Sequence, residues 1–382
     1  MRRIAVVTGT RAEYGILLPV LKAIETRPGL ELRLIATGMH LSREFGYTVK
    51  EIEDDGFRIH TKVEMLPSSD TPKAMAESIG VGIAGMAQAW EQLKPDIILV
   101  LGDRVEPLAA AIAGAFMNIP VAHIHGGDVS GNIDESIRHA ITKFAHIHFP
   151  ATAKSAERIF KMGEDKWRVH IVGPLGIYAM SQTDLVPKEK LYEKLGLNPD
   201  EPLILVVQHP VTTQVESAPQ QMRETMEALV KLNEQAVVIY SNADAGGRAM
   251  IEVIKEYKNY TFIKTFKNLP YLTFMSLMKN AGVIVGNSSA AIVDTSLFGI
   301  PAVNIGIRQQ GRERGANIID CPPKKEKIIK SVKKALNDTD FKRLLKHVSN
   351  PYDVEKEGVK RIADVLNTVK IDDKLLQKKL VY

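Results

Sequence analysis

The sequence predicts two α/β domains of Rossmann-like type, each built on a parallel β-sheet, that face each other across a central cleft. The chain has 382 residues, which is more than one hydrophobic core usually supports. Short runs of Val, Ile and Leu alternate with helical patterns, as in RIAVVTG and DIILVLG in the first half and LILVVQH and GVIVGNS in the second. Such uninterrupted apolar runs are typical of strands buried on both faces of a parallel sheet.

A polar segment that contains prolines separates the two halves. It covers residues 181–202, with the sequence SQTDLVPKEKLYEKLGLNPDEP, and segments of this composition commonly mark a domain boundary. We therefore expect an N-terminal domain over residues 1–180 and a C-terminal domain over residues 181–361.

The composition is that of an ordinary globular protein, with 45% hydrophobic and 25% charged residues. A formal net charge of +5 over this length is too dilute to indicate nucleic-acid binding. No stretch approaches the roughly 20 apolar residues of a membrane span, and the N-terminus has too few apolar residues for a signal peptide. The single cysteine, Cys321, cannot form an internal disulfide or a cysteine-based metal cluster. We expect a cytoplasmic protein that binds neither nucleic acid nor a membrane.

Charged or hydrogen-bonding residues follow small residues at the ends of nearly all predicted strands. Ligands of open parallel sheets bind beyond the carboxyl ends of the strands, so these residues are candidates for a binding site. Any single one of them could instead belong to a capped turn without function. The candidates are Arg11, His40, Asp103, Arg104 and His125 in the first half, and His209, Asn242, Ser288, Ser289 and Arg308 in the second.

The turn after the first strand does not fit a nicotinamide-dependent dehydrogenase. The segment GTRAEYG has glycines only at positions 9 and 15, so the G-x-G-x-x-G spacing for close approach to a dinucleotide is absent. The second strand ends in GMH rather than in an acid for a ribose, and there is no Walker A lysine loop. We therefore expect no cofactor.

The segment GNSSAAIVDTSLFGIP predicts a phosphate-binding turn in the second half. Ser288 and Ser289 lie at a predicted helix N-terminus, where free N–H groups, hydroxyls and the helix dipole favour an anion, although simple N-capping is an equal alternative. Asp294 could reach ribose hydroxyls or be an ordinary surface acid. Arg308 follows the next strand and would supply a fixed charge for a diphosphate.

Several long motifs together resemble the hydrolysing UDP-N-acetylglucosamine 2-epimerases: TGTRAEYG, ATGMHLSREFGYT, LGDRVEPLA, HIHGGDVSGNIDESIRHAITK, QHPVTT and GNSS with GIPAVNIGIRQQGRERG. The resemblance runs from about residue 1 to 320. It implies the B-type glycosyltransferase fold, with a C-terminal helix over residues 362–382 that packs back on the first domain. It also implies a UDP-sugar substrate, N-acetylmannosamine and UDP as products for sialic-acid-type pathways, and a homodimer or homotetramer.

The resemblance also assigns roles to individual residues. Asp103 and Asp134 match catalytic carboxylates, and His40 matches a position in the sugar pocket. Because Glu135 follows Asp134, either acid could face the cleft; we favour Asp134, and Arg138 one turn later could pair with either. The positions that match UDP contacts are Arg11, Arg104, His209, Asn242, Ser288, Ser289, Asp294 and Arg308, with the backbone around Leu269 near the base.

The reaction implied by the resemblance agrees with elementary carbohydrate chemistry. The C2 proton of a sugar is hardly acidic until the anomeric UDP departs and leaves an oxocarbenium-like centre at C1. A carboxylate can then remove that proton to give a 2-acetamidoglucal, to which water adds with inverted C2 stereochemistry. Such a site needs cations for the leaving diphosphate and acid–base groups for the sugar.

Two positions depart from the resembled family, since glutamate is usual where this chain has His125 and Asp294. A histidine can act as an acid or a base near neutral pH, so His125 is a catalytic candidate in place of the glutamate. The change could instead mark another substrate, such as a 2,4-diacetamido-6-deoxy sugar nucleotide. Although five of ten histidines lie within residues 123–148, no cysteine or carboxylate spacing completes a ligand set, and we expect no metal.

Three other functions remain open at this point. A non-hydrolysing 2-epimerase would return UDP-N-acetylmannosamine, but the first motif of that branch typically has Pro-Glu after Thr-Arg, whereas Ala12-Glu13-Tyr14 here suits the hydrolysing branch. A glycosyltransferase should show an acceptor-binding surface, which is not evident. A sugar-nucleotide sensor without activity would have little need for both Asp103 and Asp134.

Overall fold

The computed structural model describes residues 1–181, 184–348, 350–352 and 357–381. Residues 182 and 183 of the expected interdomain segment therefore lie outside the described residues, as do Ser349 and residues 353–356 of the expected C-terminal domain and Tyr382 at the end of the expected C-terminal helix.

The described residues form two six-stranded sheets, one from each half of the chain. In the first sheet the strand order is β3-β2-β1-β4-β5-β6, and in the second it is β12-β11-β10-β7-β8-β9, which is the same order when the second half is renumbered from β7. All neighbouring strands run parallel. The strands are β1 (Arg2–Thr8), β2 (Leu30–Thr37), β3 (Ile59–Val63), β4 (Ile97–Leu101), β5 (Val121–Ile124), β6 (Ile147–Phe149), β7 (Ile204–Val207), β8 (Ala236–Ile239), β9 (Ile263–Phe266), β10 (Val283–Gly286), β11 (Ala302–Ile305) and β12 (Ile318–Cys321).

Helices connect the strands and cover both faces of each sheet. The helices of the first half are α1 (Arg11–Thr26), α2 (Val49–Asp54), α3 (Pro72–Leu93), α4 (Val105–Phe116), α5 (Ile133–Phe144), α6 (Ala153–Lys161) and α7 (Leu175–Ser181). Those that follow are α8 (Lys188–Leu195), α9 (Ala218–Leu232), α10 (Gly247–Glu256), α11 (Tyr271–Asn280), α12 (Ser289–Val293), α13 (Thr295–Phe298), α14 (Lys325–Asn337), α15 (Thr339–Leu345), α16 (Gly358–Thr368) and α17 (Asp373–Leu376).

The central strands are apolar because helices pack on both of their faces. All five residues of β4 are buried, as are all four of β7. Apolar side chains from the two sides of a strand therefore enter two different cores, and polar alternation would leave polar groups unsatisfied in one of them. The predicted fold of two parallel-sheet α/β domains is confirmed.

The C-terminal segment returns to the first half of the chain. Ile362 and Leu366 of α16 are buried in the same apolar core as Leu21 of α1. Arg27 and Asp364 form an ion pair, and Nη1 of Arg2 donates to the carbonyl of Leu366 at 2.5 Å. Instead of one helix over residues 362–382, the segment forms α16, which begins at Gly358, and the short α17.

Within the described ranges, no helix combines the length and the apolar character that a bilayer span requires.

Candidate active site

The carboxyl ends of the two sheets meet at a cleft that brings most of the predicted site residues together. A cavity of about 240 Å³ is lined by Arg11, Asp103, Arg104, His209, Asn242, Ser288, Ser289 and Arg308, among others. A second cavity of about 130 Å³ shares Arg11, Ser288 and Ser289 with the first and adds His125 and Asp294. The two halves thus contribute opposite walls to one connected site.

Asp103 lies directly after β4 and pairs with an arginine of α5. Nη2 of Arg138 contacts Oδ2 of Asp103, and Nη1 donates to the carbonyl of Asp128 at 2.8 Å. Arg138 is almost fully buried, with 1% of its side chain exposed, so its charge is fixed in place. Arg138 thus pairs with Asp103 rather than with Asp134 or Glu135, the two partners that its position in the sequence allowed.

Asp134 lies in the first turn of α5 and meets an arginine of the other domain. Its Oδ2 accepts from Nη2 of Arg308 at 2.8 Å and from Nδ2 of Asn132, the N-cap residue, at 3.1 Å. Glu135 instead accepts from the backbone N–H of Ser130 at 2.8 Å. Of the two adjacent acids, Asp134 is therefore the one that reaches across the interface between the domains.

The environments of the two aspartates displace their pKa values in opposite directions. Burial favours the neutral form of Asp103, but the charges of Arg138, Arg312 and Arg308 outweigh it and hold its pKa below the ordinary value. Burial raises the pKa of Asp134 despite Arg308, and the negative charges of Asp103 and Asp244 add to the increase. Such a pair is the usual basis for separate acid and base roles.

Asp244, which follows β8, links arginines from both halves, although the sequence did not single it out. Its Oδ1 lies 3.0 Å from Nη2 of Arg104, and its Oδ2 lies 4.0 Å from Nη2 of Arg308. Nδ2 of Asn242 donates to Oδ2 of Asp244 at 2.6 Å. The segment SNADAGG carried a signal, since Asp244 follows a strand as the other candidates do, but its partner in the other domain, Arg104, is distant in sequence.

Arg11 presents a charge to both cavities. Its Nη1 is buried without a hydrogen-bond partner, and its guanidinium lies 5.4 Å from the ring centroid of Phe274. Burial lowers the pKa of Arg11 to about 10, so the side chain stays charged near neutral pH. A buried cation with a vacant donor is suited to an anionic ligand.

His209 is held in one orientation by the backbone around it. Its Nδ1 accepts from the N–H of Asn242 at 3.2 Å, and its backbone N–H and carbonyl both bond the side-chain amide of Asn287. Burial and the charge of Arg308 lower the pKa of His209 to about 3, so the ring is neutral. The remaining N–H, on Nε2, is the one that can donate to a ligand in the cavity.

Ser288 and Ser289 line both cavities at the start of α12. Ser288 is the N-cap residue, but its hydroxyl makes no capping hydrogen bond. Simple capping therefore does not account for this side chain. Asp294 follows α12 directly, where the helix ends at Val293.

His125 is oriented by the backbone at the start of α7. Its Nε2 accepts from the N–H of Leu175, the first residue of α7, at 3.3 Å. The residue has a φ of 61°, a left-handed conformation that is uncommon for a residue with a side chain. Burial lowers the pKa of His125, although Asp128 opposes the effect, so the neutral ring is favoured.

Three predicted residues do not line these cavities: Asp134, which contacts the lining residue Arg308, and His40 and Leu269, which lie behind the cleft. His40 is fully buried and lies between Thr8 Oγ1 at 3.1 Å and Thr48 Oγ1 at 2.8 Å. Burial lowers its pKa to about 3. Leu269 packs in the core of the second domain, while its neighbour Asn268 lines the larger cavity.

Asp294 and Arg312 share the smaller cavity with His125. Burial raises the pKa of Asp294 to about 7, against the opposing charge of Arg312. Nη2 of Arg312 bonds Oδ2 of Asp128 across the domain interface at 3.0 Å. The motif GIRQQGRERG contains Arg312, but nothing in its spacing indicates that it would face the first domain.

No group of three or more His, Cys, Asp or Glu side chains in the described part of the chain is arranged to hold a metal ion. The clustered histidines have other partners. His123 contacts the carbonyl of Gly102 at 2.7 Å, and His148 contacts Glu164 at 3.1 Å.

Comparison with known families decides the class of this two-domain site. The family model described as UDP-N-acetylglucosamine 2-epimerase matches residues 22–367. The chain belongs to this family. It is therefore a UDP-sugar 2-epimerase.

Similar epimerases include proteins named for different sugars. The chain is 36% identical to a UDP-N,N'-diacetylbacillosamine 2-epimerase (hydrolyzing) of Legionella pneumophila over 99% of each chain. It is 34% identical to a UDP-N-acetylglucosamine 2-epimerase of Neisseria meningitidis over 100% of this chain and 99% of that one. A crystal structure of the UDP-GlcNAc 2-epimerase from Neisseria meningitidis bound to UDP-GlcNAc matches with a TM-score of 0.79 at 17% identity, over 96% and 99% of the chains.

Proposed function

We propose that this epimerase is hydrolysing and converts UDP-N-acetylglucosamine into N-acetylmannosamine and UDP. The observation that carries the proposal is the pair of Asp103 and Asp134, whose pKa values are displaced in opposite directions beside arginines that can receive a diphosphate. The UDP-sugar would bind in the cleft between the two domains. The proposed substrate agrees with the description of the family.

The diphosphate would bind to the cations and donors that converge on the larger cavity. Arg11 has a buried donor without a partner, Arg308 lines the cavity, and His209 has one N–H left to donate. Charge-assisted hydrogen bonds from such fixed groups stabilise the negative charge that develops as UDP leaves. Ser288 and Ser289 would add hydroxyl donors, and Asp294 would accept from ribose hydroxyls in the adjoining cavity.

Asp103 is the proposed base and Asp134 the proposed acid. In the first half-reaction Asp103 takes the C2 proton, a C1–C2 double bond forms, and the C1–oxygen bond breaks with its electron pair leaving on UDP. In the second, protonated Asp134 gives its proton to C2 from the opposite face and water bonds to C1. Asp134 then recovers a proton from that water, while the proton on Asp103 is lost with UDP. Because the proton is removed from one face of C2 and added to the other, the configuration at C2 is inverted.

Turnover in D2O, followed by NMR, tests the proposed reaction. With UDP-N-acetylglucosamine we expect free N-acetylmannosamine that carries deuterium at C2, together with UDP. Deuterated UDP-N-acetylmannosamine would show a non-hydrolysing epimerase, an unlabelled transferred sugar a glycosyltransferase, and binding without turnover an inactive sensor. Each of these three results would overturn the proposal.

Asp134→Asn tests the proposed acid. The amide keeps the size of the side chain but cannot donate a proton to C2, so we expect turnover to fall by about 100-fold or more, or the glucal to be released, with UDP binding retained. Glu135→Gln is the matched control because it alters the neighbouring acid, which bonds Ser130 instead. Undiminished turnover in Asp134→Asn would refute the assignment.

A second candidate substrate is a UDP-2,4-diacetamido-6-deoxy sugar. It is favoured by the presence of His125 where the resembled family usually has glutamate, and by the identity to the Legionella pneumophila enzyme. Parallel NMR assays with the two nucleotide sugars distinguish the candidates by their ratio of kcat/KM. A higher value for the diacetamido compound would replace N-acetylglucosamine as the proposed sugar while leaving the reaction type intact.

A further inference from the structure

The guanidinium of Arg308 faces two carboxylates and also the larger cavity. Its Nη2 lies 2.8 Å from Oδ2 of Asp134 and 4.0 Å from Oδ2 of Asp244. Its Nη1 donates to the carbonyl of Asn287 at 3.3 Å, and its Nε is buried without a partner. The side chain is 8% exposed and lines the larger cavity. An anion that entered this cavity would therefore compete with Asp134 for the same donor.

The two acids beside Arg308 differ in the partners that would remain to them if an anion bound Arg308. Asp244 would keep Arg104, whose Nη2 lies 3.0 Å from its Oδ1, and the amide of Asn242 at 2.6 Å. Asp134 would keep Asn132 Nδ2 at 3.1 Å. In the described part of the chain, Arg308 is the cation that makes an ion pair with Asp134.

The charges that face Asp134 come from three other segments. Arg308 lies after β11, Asp103 and Arg104 lie after β4, and Asp244 lies after β8, and all four act on this carboxyl group. If Arg308 turned toward a ligand, Asp134 would be left with two negative neighbours and the more distant Arg104. A partly buried carboxylate in that position is stabilised by binding a proton, because the charged form loses its partner and is poorly solvated.

We propose that a nucleotide diphosphate takes Arg308 away from Asp134 and that Asp134 binds a proton as it does so. The inference rests on the proposed function in one respect, namely that the ligand of the cleft is a nucleotide diphosphate. The same guanidinium therefore serves as the counter-ion of Asp134 in the free enzyme and as a phosphate donor in the complex. Substrate binding would load the acid before UDP leaves, and UDP release would unload it.

The two aspartates have different arginine partners, so the loss of Arg308 to a ligand would protonate Asp134 and not Asp103. Asp103 keeps the contact with Arg138, which belongs to the same domain and does not line either cavity, so it remains ionised as the base. Burial already raises the pKa of Asp134 while Arg308 opposes the increase. Removal of that opposition shifts the equilibrium further toward the protonated acid.

Proton-linked calorimetry with UDP tests the proposal without turnover. UDP is titrated into wild-type protein, Asp134→Asn and Glu135→Gln in buffers of different ionisation enthalpy, near pH 7 and about one unit higher. We expect the wild type and Glu135→Gln to take up a larger fraction of a proton per UDP than Asp134→Asn. Protonation of UDP itself contributes equally to all three and cancels in the comparison.

The affinities give a second readout. Asp134→Asn should bind UDP severalfold more tightly than the wild type at the higher pH, because Arg308 no longer has an ionised competitor, and its affinity should vary less with pH. If Asp134→Asn does not fold, Asp134→Ser serves for the same comparison. Equal proton uptake and equal pH dependence in all variants would overturn the inference while leaving the proposed reaction standing. Failure of every variant to bind UDP would instead refute the proposed function.

Discussion

Arg11 is a residue whose placement favours ligand binding but lowers the stability of the protein without a ligand. Its buried Nη1 has no hydrogen-bond partner, and a buried donor left unsatisfied costs roughly 1–3 kcal/mol, more when charged. Arg104 and Arg308 differ from Arg11 in that each forms an ion pair with an acid. Of these three arginines, Arg11 is therefore the one that a ligand can use without displacing a protein carboxylate.

Replacing Arg11 by methionine separates ligand binding from stability. Arg11→Met keeps an apolar stem beside Phe274 but removes the charge, so we expect the Kd for UDP to rise by about 10- to 100-fold. The melting temperature should stay the same or rise, because an unpaired buried charge is lost. Calorimetry and thermal unfolding measure the two effects. Arg223→Met, at a surface ion pair with Glu256, is the control that should leave UDP binding unchanged; unaltered binding in Arg11→Met would contradict the assignment.

Asp294 gives a prediction for the pH dependence of stability. Burial raises its pKa from 3.8 to about 7 in the folded protein, so the folded state binds the proton more tightly than the unfolded state. Its contribution is therefore most favourable at low pH and is lost as the pH rises from about 4 to about 7. Asp294→Asn should raise the melting temperature relative to the wild type by an amount that grows over this range. Asp200→Asn, at an exposed carboxylate, should not, and a pH-independent difference for Asp294→Asn would exclude the mechanism.

Helix α5 connects the catalytic candidates to the C-terminal segment. Its first turn holds Asp134, and its next turn holds Arg138, which fixes Asp103. At the other end of the helix, Nζ of Lys378 donates to the carbonyls of Thr142, Lys143 and Ala145 at 3.2, 3.0 and 2.6 Å. These are carbonyls that a helix C-terminus leaves without intrahelical partners.

Removing this cap should destabilise the helix that carries the proposed acid. Lys378→Met keeps most of the side-chain volume but leaves the last carbonyls of α5 and Oε2 of Glu164, 2.7 Å away, without their cation. We expect the free energy of unfolding to fall by about 1–3 kcal/mol, measured by denaturant titration. Lys379→Met is the matched control because the adjacent lysine is exposed. Equal stabilities for the two variants would show that Lys378 does not cap α5.

The cleft is bordered by contacts between the two domains. Nε and Nη2 of Arg248 each lie 2.8 Å from a carboxylate oxygen of Glu44, and its backbone N–H donates to Oδ2 of Asp70 at 2.8 Å. Phe45 packs with Ala243 and Ile251 of the second domain and also lines the larger cavity. Closure of the domains and formation of the ligand site therefore use the same segment.

Phe45→Ala should weaken that closed arrangement. The side chain is 3% exposed, so its loss leaves a gap between the domains and removes one wall of the cavity. We expect the KM for the UDP-sugar to rise about tenfold, equivalent to about 1.4 kcal/mol, and small-angle scattering to report a larger radius of gyration. Phe116→Ala, at a side chain that is 79% exposed, should change neither quantity. An unchanged KM in Phe45→Ala would mean that this contact does not contribute to closure.

The fold could be predicted from local sequence patterns, because buried parallel strands consist of apolar runs and the turns after them are rich in glycine and polar residues. The predicted parallel sheets are confirmed, and the structure brings together ten of the thirteen predicted site residues as linings of two adjoining cavities. Their individual roles remain predictions. Asp134 does not line either cavity but contacts Arg308, which does. His40 and Leu269 lie behind the cleft, because the chain turns inward after β2 and β9 and buries both side chains.

The residues that stand at the ends of the parallel strands could be identified from the sequence alone, since their positions follow from periodicity and chain order over a few residues. The pairing of charged side chains could not, because it depends on how distant segments and the two domains pack together. Arg138 reaches Asp103 across 35 positions of sequence, and Arg308 reaches Asp134 across 174 positions and a domain interface. Electrostatic interaction depends on distance through space and on burial, so the opposite shifts of the two aspartate pKa values could not be inferred until both domains were in place.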